Sequence, residues 1–162
     1  MAIAVFPGSF DPVTTGHMDL IRRGAGMFDS LVLGVLINSA KTPLFTVEER
    51  VEMLQELTAD LQNVSVKAFD GLLVDFVKQE QAQVIVRGLR TSVDFEYELP
   101  LAQTNYKLNE NADTVFLATA PEYSYISSSA VKELLRYEGD ISNMVPEGVK
   151  KRIQDKLKQS EL

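Results

Sequence analysis

The chain has 162 residues, 45% hydrophobic and 24% charged, which is enough apolar material for one domain with a proper core and too little length for two ordinary ones. Cys 0 and His 1 exclude thiol nucleophiles, disulfide frameworks, cysteine-based zinc sites and multi-histidine metal sites together. Lys+Arg 16 against Asp+Glu 23 leaves a net charge of −7, the wrong sign for a general nucleic-acid or anionic-membrane binder, so any polyanionic ligand needs a local cationic cluster.

Short β-branched runs alternate with segments of helical period along the whole chain. This pattern predicts one α/β domain over residues 1–162, with a five-stranded, mainly parallel sheet, helices on both faces and a C-terminal helical segment from about 140. Ala2 to Phe6 reads as the first strand. His17 to Phe28 then sets Leu20, Ile21, Ala25 and Phe28 on one helical face, with Asp19, Arg22 and Arg23 opposite. Leu31 to Ile37 is the second strand, and Thr46 with Glu49 forms a capping box ahead of Val47, Val51, Leu54 and Leu57. Val64 to Phe69 gives a third strand, followed by a helix from about Leu72 to Lys78. Val84 to Val86 is the fourth strand, and Val93 to Leu108 a helix in which Phe95, Leu99, Ala102 and Tyr106 form an approximate stripe and Pro100 predicts a kink. After a fifth strand, Thr114 to Leu117, Ser127 to Ser129 cap a helix closed by Gly139, and a last helix starts near Pro146. All five strands are apolar enough to be covered on both faces. The longest apolar run, Leu31 to Ile37, contains Gly34 and is far below spanning length; with no basic stretch ahead of an apolar one at the N-terminus, a soluble cytoplasmic protein without membrane contact is expected.

In an open parallel sheet, ligands bind outside the carboxyl ends of the strands. The loop from Pro7 to His17 follows the first strand and delivers His17 to a helix start, where unpaired N–H groups and the helix dipole favour an anion. It matches neither GxxxxGK[ST] nor GxGxxG, and from spacing alone it is equally a tight strand-to-helix turn. Lys41, beyond the second strand, reads by itself as a solvated loop lysine. Arg87 and Arg90 follow the fourth strand around Gly88; two guanidiniums there either grip separate phosphates or pair with Asp94 and Glu98. The segment Tyr123 to Ser129 joins an aromatic approach to three consecutive hydroxyls at a helix start, more than an N-cap requires.

Gly8-Ser9-Phe10-Asp11-Pro12 with Thr14-Thr15-Gly16-His17, and Ile126-Ser127-Ser128-Ser129, resemble the (H/T)xGH and ISSS-type signatures of the nucleotidyltransferase superfamily. Thr46 to Arg50, Arg87 to Arg90 and Asp94 to Glu98 are similar in order and spacing to the bacterial phosphopantetheine adenylyltransferases, and the similarity runs from Ala2 to about Pro146. The resemblance implies a Rossmann-like fold and transfer of AMP from ATP to 4'-phosphopantetheine, forming dephospho-coenzyme A and pyrophosphate in coenzyme A synthesis. It also implies Mg²⁺ as cofactor, a homohexamer and feedback inhibition by coenzyme A. Residue by residue, it assigns His17, Lys41 and Arg90 to catalysis. Ser9, Phe10, His17, Gly88, Leu89, Arg90, Glu98, Tyr123, Ser124, Tyr125, Ile126, Ser127, Ser128 and Ser129 fall to ATP; Ser9, Lys41, Leu73, Arg87, Leu101 and Asn105 fall to the acceptor. It assigns no protein ligand to the metal. Ser9 stands where Thr is frequent, keeping the hydroxyl, and Tyr125 where Phe is common.

The implied chemistry suits a site without an obvious base. A phosphate monoester has a second pKa of about 6, so the nucleophile is already largely ionised at neutral pH. What remains is to align two polyanions and to stabilise charge growing on the α-phosphate. His17 at a helix N-terminus is expected to stay neutral while donating one hydrogen bond. Nicotinate mononucleotide and cytidylyl transferases are the alternative within the superfamily, but they usually carry HxGH and lack RGLR with DFEYE. A silent ATP-binding or coenzyme A-sensing module is a third reading, which the His17, Lys41 and Arg90 set disfavours.

Overall fold

Five strands, β1 (Ile3–Gly8), β2 (Ser30–Leu36), β3 (Val64–Phe69), β4 (Val84–Leu89) and β5 (Asp113–Ala118), form one all-parallel sheet in the order β3-β2-β1-β4-β5. The structure is a computed structural model that describes residues 1–37 and 42–160. Among the described residues there are six helices: α1 (Thr15–Met27), α2 (Val47–Leu57), α3 (Leu73–Gln79) and α4 (Ser92–Leu108) connect successive strands, and α5 (Ser128–Arg136) and α6 (Glu147–Ser160) follow β5. A 3-10 turn, Pro121–Tyr123, precedes α5. The chain lays down β1, β2 and β3 in one direction, then crosses back to pair β4 with β1, so the order reverses between these two strands. No described helix is long and apolar enough to cross a membrane.

Successive strand residues point to opposite faces, which splits the apolar runs between two cores. Ala4 and Phe6 of β1, with Leu31, Leu33 and Val35 of β2, pack on one side with Leu20 and Ile21 of α1, Met53 and Leu54 of α2, Val131 of α5 and Ile153 of α6. Val5, Val32 and Ile85 face the other side and meet Phe76 and Val77 of α3. Gly34 of β2 sits there under the stacked Phe69 and Phe76 rings, 4.6 Å apart, where a β-carbon would come within 2.7 Å of Phe76. The central strands are buried on both faces as expected, but the outer two are not: Ser65, Lys67 and Ala68 of β3 and Asp113, Val115 and Ala118 of β5 are exposed, because an edge strand is only partly covered by the crossover helices.

Several elements differ from the sequence reading. β1 runs on through Pro7 and Gly8, which pair with Gly34 and Val35 and so are strand and not loop, and α1 begins at Thr15, two residues before His17. β4 continues through Arg87, Gly88 and Leu89, which pair with Phe116, Leu117 and Ala118, so these three residues are strand and not turn. Gly88 is needed for close approach: a β-carbon there would collide with Leu20 of α1. α4 runs uninterrupted through Pro100, and none of its residues is buried, so the carbonyl that the proline leaves unpaired can turn to water. Its expected stripe is not a core face: Phe95 makes a T-shaped contact with Phe116 but is exposed, as is Tyr106, and Leu99 and Ala102 are only half-buried, while Val93, Tyr97, Leu101 and Leu108 are also exposed. α5 ends at Arg136, and the left-handed residue past it is Glu138 (φ 56), with Gly139 donating its N–H to the Leu134 carbonyl at 2.8 Å. The last helix, α6, lies against α2 through Arg152 to Glu52 (3.1 Å) and Glu56 (2.7 Å) and through Lys156 to Glu49 (2.6 Å).

Candidate active site

Where the strand order reverses, the carboxyl ends of β1 and β4 diverge and leave a cleft of about 560 Å³. A second cleft of about 310 Å³ adjoins it on the side of α3 and α4. Pro7, Gly8, Arg87 and Glu98 border both, so the two are neighbours across one side-chain pair.

His17 enters the larger cleft from the first turn of α1. Thr14 is the N-cap, in extended conformation, and its hydroxyl accepts the His17 N–H at 3.2 Å. The Thr14 N–H in turn donates to His17 Nδ1 at 3.0 Å, a capping box in which histidine takes the place usually held by Glu or Gln. Since Nδ1 accepts, the neutral ring carries its proton on Nε2. Burial, then the Arg90 and Arg87 guanidiniums, lower the His17 pKa from 6.5 to about 4. The imidazole is therefore a neutral donor whose direction is set by the helix start. Phe10 packs edge-on against it, ring centroids 5.1 Å apart, and is itself 1% exposed. Phe10 adopts φ 49, a left-handed conformation costly for a bulky residue, and burial of its ring offsets that cost.

Both arginines of Arg87 to Arg90 are held by carboxylates of α4. Arg87 makes a fork-to-fork pair with Glu98, Nε to Oε2 at 2.8 Å and Nη2 to Oε1 at 2.6 Å, and also donates to the Pro7 carbonyl at 3.1 Å. Arg90 is looser: its backbone N–H donates to Asp94 at 2.8 Å, and its Nε lies 3.3 Å from the same oxygen. Asp94 is held below the usual carboxylate range: burial pushes it up, and the Arg90 N–H, charge and side-chain bond outweigh that. The ion-paired alternative left open by the sequence is the arrangement found, and it lies inside the cleft and not on an outer surface.

At the start of α5, Ser127 is the N-cap and accepts from the Ala130 N–H at 3.0 Å, while Ser128 donates to the Pro12 carbonyl at 2.8 Å. Two of the three serine hydroxyls thus hold the fold, and the start of α5, a helix end that favours an anion, borders the cleft through Ser127 and Ser128.

Comparison with known proteins agrees with this geometry. Residues 5–134 match the cytidylyltransferase-like family model. The chain is 60% identical over 156 residues to the phosphopantetheine adenylyltransferase of Lachnoclostridium phytofermentans, covering 96% of each chain. It is 51% identical over 160 residues to that of Caldanaerobacter subterraneus subsp. tengcongensis, covering 99% of this chain and 100% of the relative. The chain belongs to the phosphopantetheine adenylyltransferase family. A crystal structure from Vibrio parahaemolyticus, assigned as a nicotinate-nucleotide adenylyltransferase, shares its fold with a TM-score of 0.68 at 19% identity, covering 95% of this chain and 99% of the other.

In this phosphopantetheine adenylyltransferase family chain, the residues singled out from the sequence divide into three groups. Ser9, Phe10, His17, Gly88, Arg90, Glu98, Ile126, Ser127 and Ser128 line the larger cleft; Leu73, Leu101 and Asn105 line the smaller; Arg87 and Glu98 border both. Leu89, Tyr123, Ser124, Tyr125 and Ser129 line neither. Tyr123 packs over Gly16 on the core, Ser124 donates to the Pro121 carbonyl at 2.9 Å, and Tyr125 and Ser129 are exposed. Lys41 lies outside the described residues. Sequence reasoning missed Thr14 as the group that fixes the histidine tautomer. The signal was there, since Thr14 and His17 stand at capping-box spacing, but histidine is not the residue that the pattern normally carries.

Proposed function

We propose that the chain transfers the adenylyl group from ATP to 4'-phosphopantetheine, giving dephospho-coenzyme A and pyrophosphate. The observation that carries this reading is the pair of adjoining clefts at one strand-order reversal, joined at Arg87 and Glu98, with a neutral histidine donor in the larger. A phosphoryl oxygen of the acceptor attacks the α-phosphorus, the bond to the β-phosphate oxygen breaks, and pyrophosphate leaves. No proton has to be removed from the nucleophile. His17 Nε2–H donates to the α-phosphate as its charge grows, Ser9 contacts the phosphates near the point of transfer, and Arg90 and Lys41 supply positive charge. Arg87 holds the acceptor phosphate; Leu73, Leu101 and Asn105 line its arm. Glu98 and the 123–129 segment serve ATP.

Mg²⁺ accompanies the ATP phosphates in this reading. The residues do not form a cage for it: Asp94 and Glu98, the carboxylates bordering the larger cleft, are each engaged by an arginine, and no group of three or more ligating side chains occurs among the described residues. No step is routed through the ion. The reading extends to a cytoplasmic homohexamer inhibited by coenzyme A; the exposed apolar side chains along α4 support an assembly, and light scattering tests it.

Pyrophosphate release decides the acceptor. Release with ATP, Mg²⁺ and 4'-phosphopantetheine is the expected result. Release only with nicotinate mononucleotide, or ATP binding without release, overturns the proposal.

A further inference from the structure

Arg50, in the first turns of α2, is 5% exposed, and its hydrogen bonds to described residues all go to main-chain oxygens. Nη1 donates to the Ser9 carbonyl at 2.8 Å and to the Leu36 carbonyl at 3.1 Å; Nε donates to the Phe45 carbonyl at 3.2 Å and the Thr46 carbonyl at 3.3 Å. A guanidinium is costly to bury, and here its Nε and Nη1 donate to four carbonyls from three separate segments. Ser9 follows β1, Leu36 ends β2, and Phe45 and Thr46 open α2. One planar fork therefore fixes the distance between two adjacent strand ends and the helix beside them.

Asp11, 4% exposed, works in the opposite sense on the same segments. Its carboxylate accepts the Leu44 N–H at 2.8 Å and the Phe45 N–H at 2.9 Å, with Lys132 Nζ at 3.5 Å. The peptide groups of Phe45 are thus gripped twice, N–H by Asp11 and carbonyl by Arg50. Between the two anchored positions, Ser9 and Asp11, lies Phe10 in its left-handed conformation, with its ring against His17.

We propose that Arg50 is a positioning residue for adenylyl transfer, holding Ser9 and the Phe10–His17 contact in register for the reaction, with Asp11 as its counterpart on the β1–α1 loop. Arg50 touches no reacting atom and lines neither cleft; it acts through the Ser9 main chain. This rests on the transfer reaction proposed above. A displacement of about 1 Å in a positioned group is enough to cost on the order of 10²-fold in rate, whereas ground-state binding spread over many contacts is less sensitive.

The test is Arg50→Lys, which keeps the charge but not the planar fork. Cooperative thermal unfolding establishes folding, equilibrium titration gives the ATP Kd, and steady-state pyrophosphate release gives kcat and KM. The expected result is a folded protein with ATP Kd and acceptor KM within about threefold of the parent and kcat lower by on the order of 10²-fold. A folded variant with kcat within threefold of the parent overturns the proposal. So does a loss of ATP affinity as large as the loss of kcat, which marks a collapsed cleft and a merely structural arginine. If Arg50→Lys does not fold, Asp11→Asn is judged by the same criteria, and failure of both to fold also overturns it. The kinetics use whichever acceptor the parent turns over, so an unexpected acceptor refutes the function proposed above without touching this comparison.

Discussion

Replacing His17 with glutamine is expected to remove the part of the acid sensitivity of the fold that the imidazole contributes. The sole histidine binds its proton with a pKa of about 4 in the folded chain against 6.5 as the ordinary value, because burial, then Arg90 and Arg87, disfavour the imidazolium. Between these values the unfolded chain holds more protons than the folded one, so stability rises with pH across the window. The stability present above pH 6.5 is lost as pH falls toward 4. Linkage puts the loss from this one group at about 2 kcal/mol between pH 7.5 and pH 5, and at a limit of about 3 kcal/mol below pH 4. Carboxylates titrate in both proteins and cancel in the comparison. Urea unfolding followed by far-UV circular dichroism at pH 7.5, 6 and 5, on parent and variant, reads the difference directly. Equal losses in the two proteins would refute the neutral, half-buried imidazole, and with it the assignment of Nε2–H as a fixed donor. The same variant at pH 7.5 is expected to lose turnover by on the order of 10²–10³-fold, the usual effect of removing a transition-state donor.

Other outcomes follow from packing and charge. Gly88→Ala, which forces a β-carbon onto Leu20, is expected to destabilise by about 1–3 kcal/mol. Gly26→Ala, with nothing within 4 Å of the added carbon, is expected to stabilise α1 by up to about 1 kcal/mol, so thermal melts that moved in the same direction would contradict the packing argument. Arg152→Ala removes ion pairs to Glu52 and Glu56, whose side chains are 60% and 59% exposed; the loss is expected to be below about 1 kcal/mol and to vanish in 1 M salt.

The alternation of apolar runs sufficed for the five strands and the helix following each, because burial against two layers imposes a pattern that needs no tertiary knowledge. The end of β4 was not legible. Arg87 and Gly88 are poor strand formers by composition, and only pairing with β5 makes them strand. The cleft was located by the loops that follow β1 and β4, yet the state of its charges was not. Spacing allowed Arg87 to grip a ligand or Glu98, and the fork-to-fork geometry depends on where α4 lies over β4. Tyr123 read as a cleft aromatic; it lines neither cleft, and it is partly buried against the core. Arg50 stood out only as the last residue of the Thr46 to Arg50 resemblance; its burial gave no warning, since arginine is seldom fully buried and its carbonyl partners come from segments up to 41 positions away.

The reversal of strand order that opens the cleft also governs when the cleft can exist. β1 is the first strand of the chain but the middle one of the sheet, and its second neighbour enters through Ala4 against Val84 and Val5 against Ile85. Any nascent chain or truncated fragment that stops short of β4 therefore carries Ser9 and His17 with no opposing wall. Contacts of such long sequence separation slow folding, because loop closure has to precede the gain from pairing. Until synthesis passes the fourth strand, the side of β1 that becomes the floor between two substrates is an unpaired strand edge, open to wrong partners.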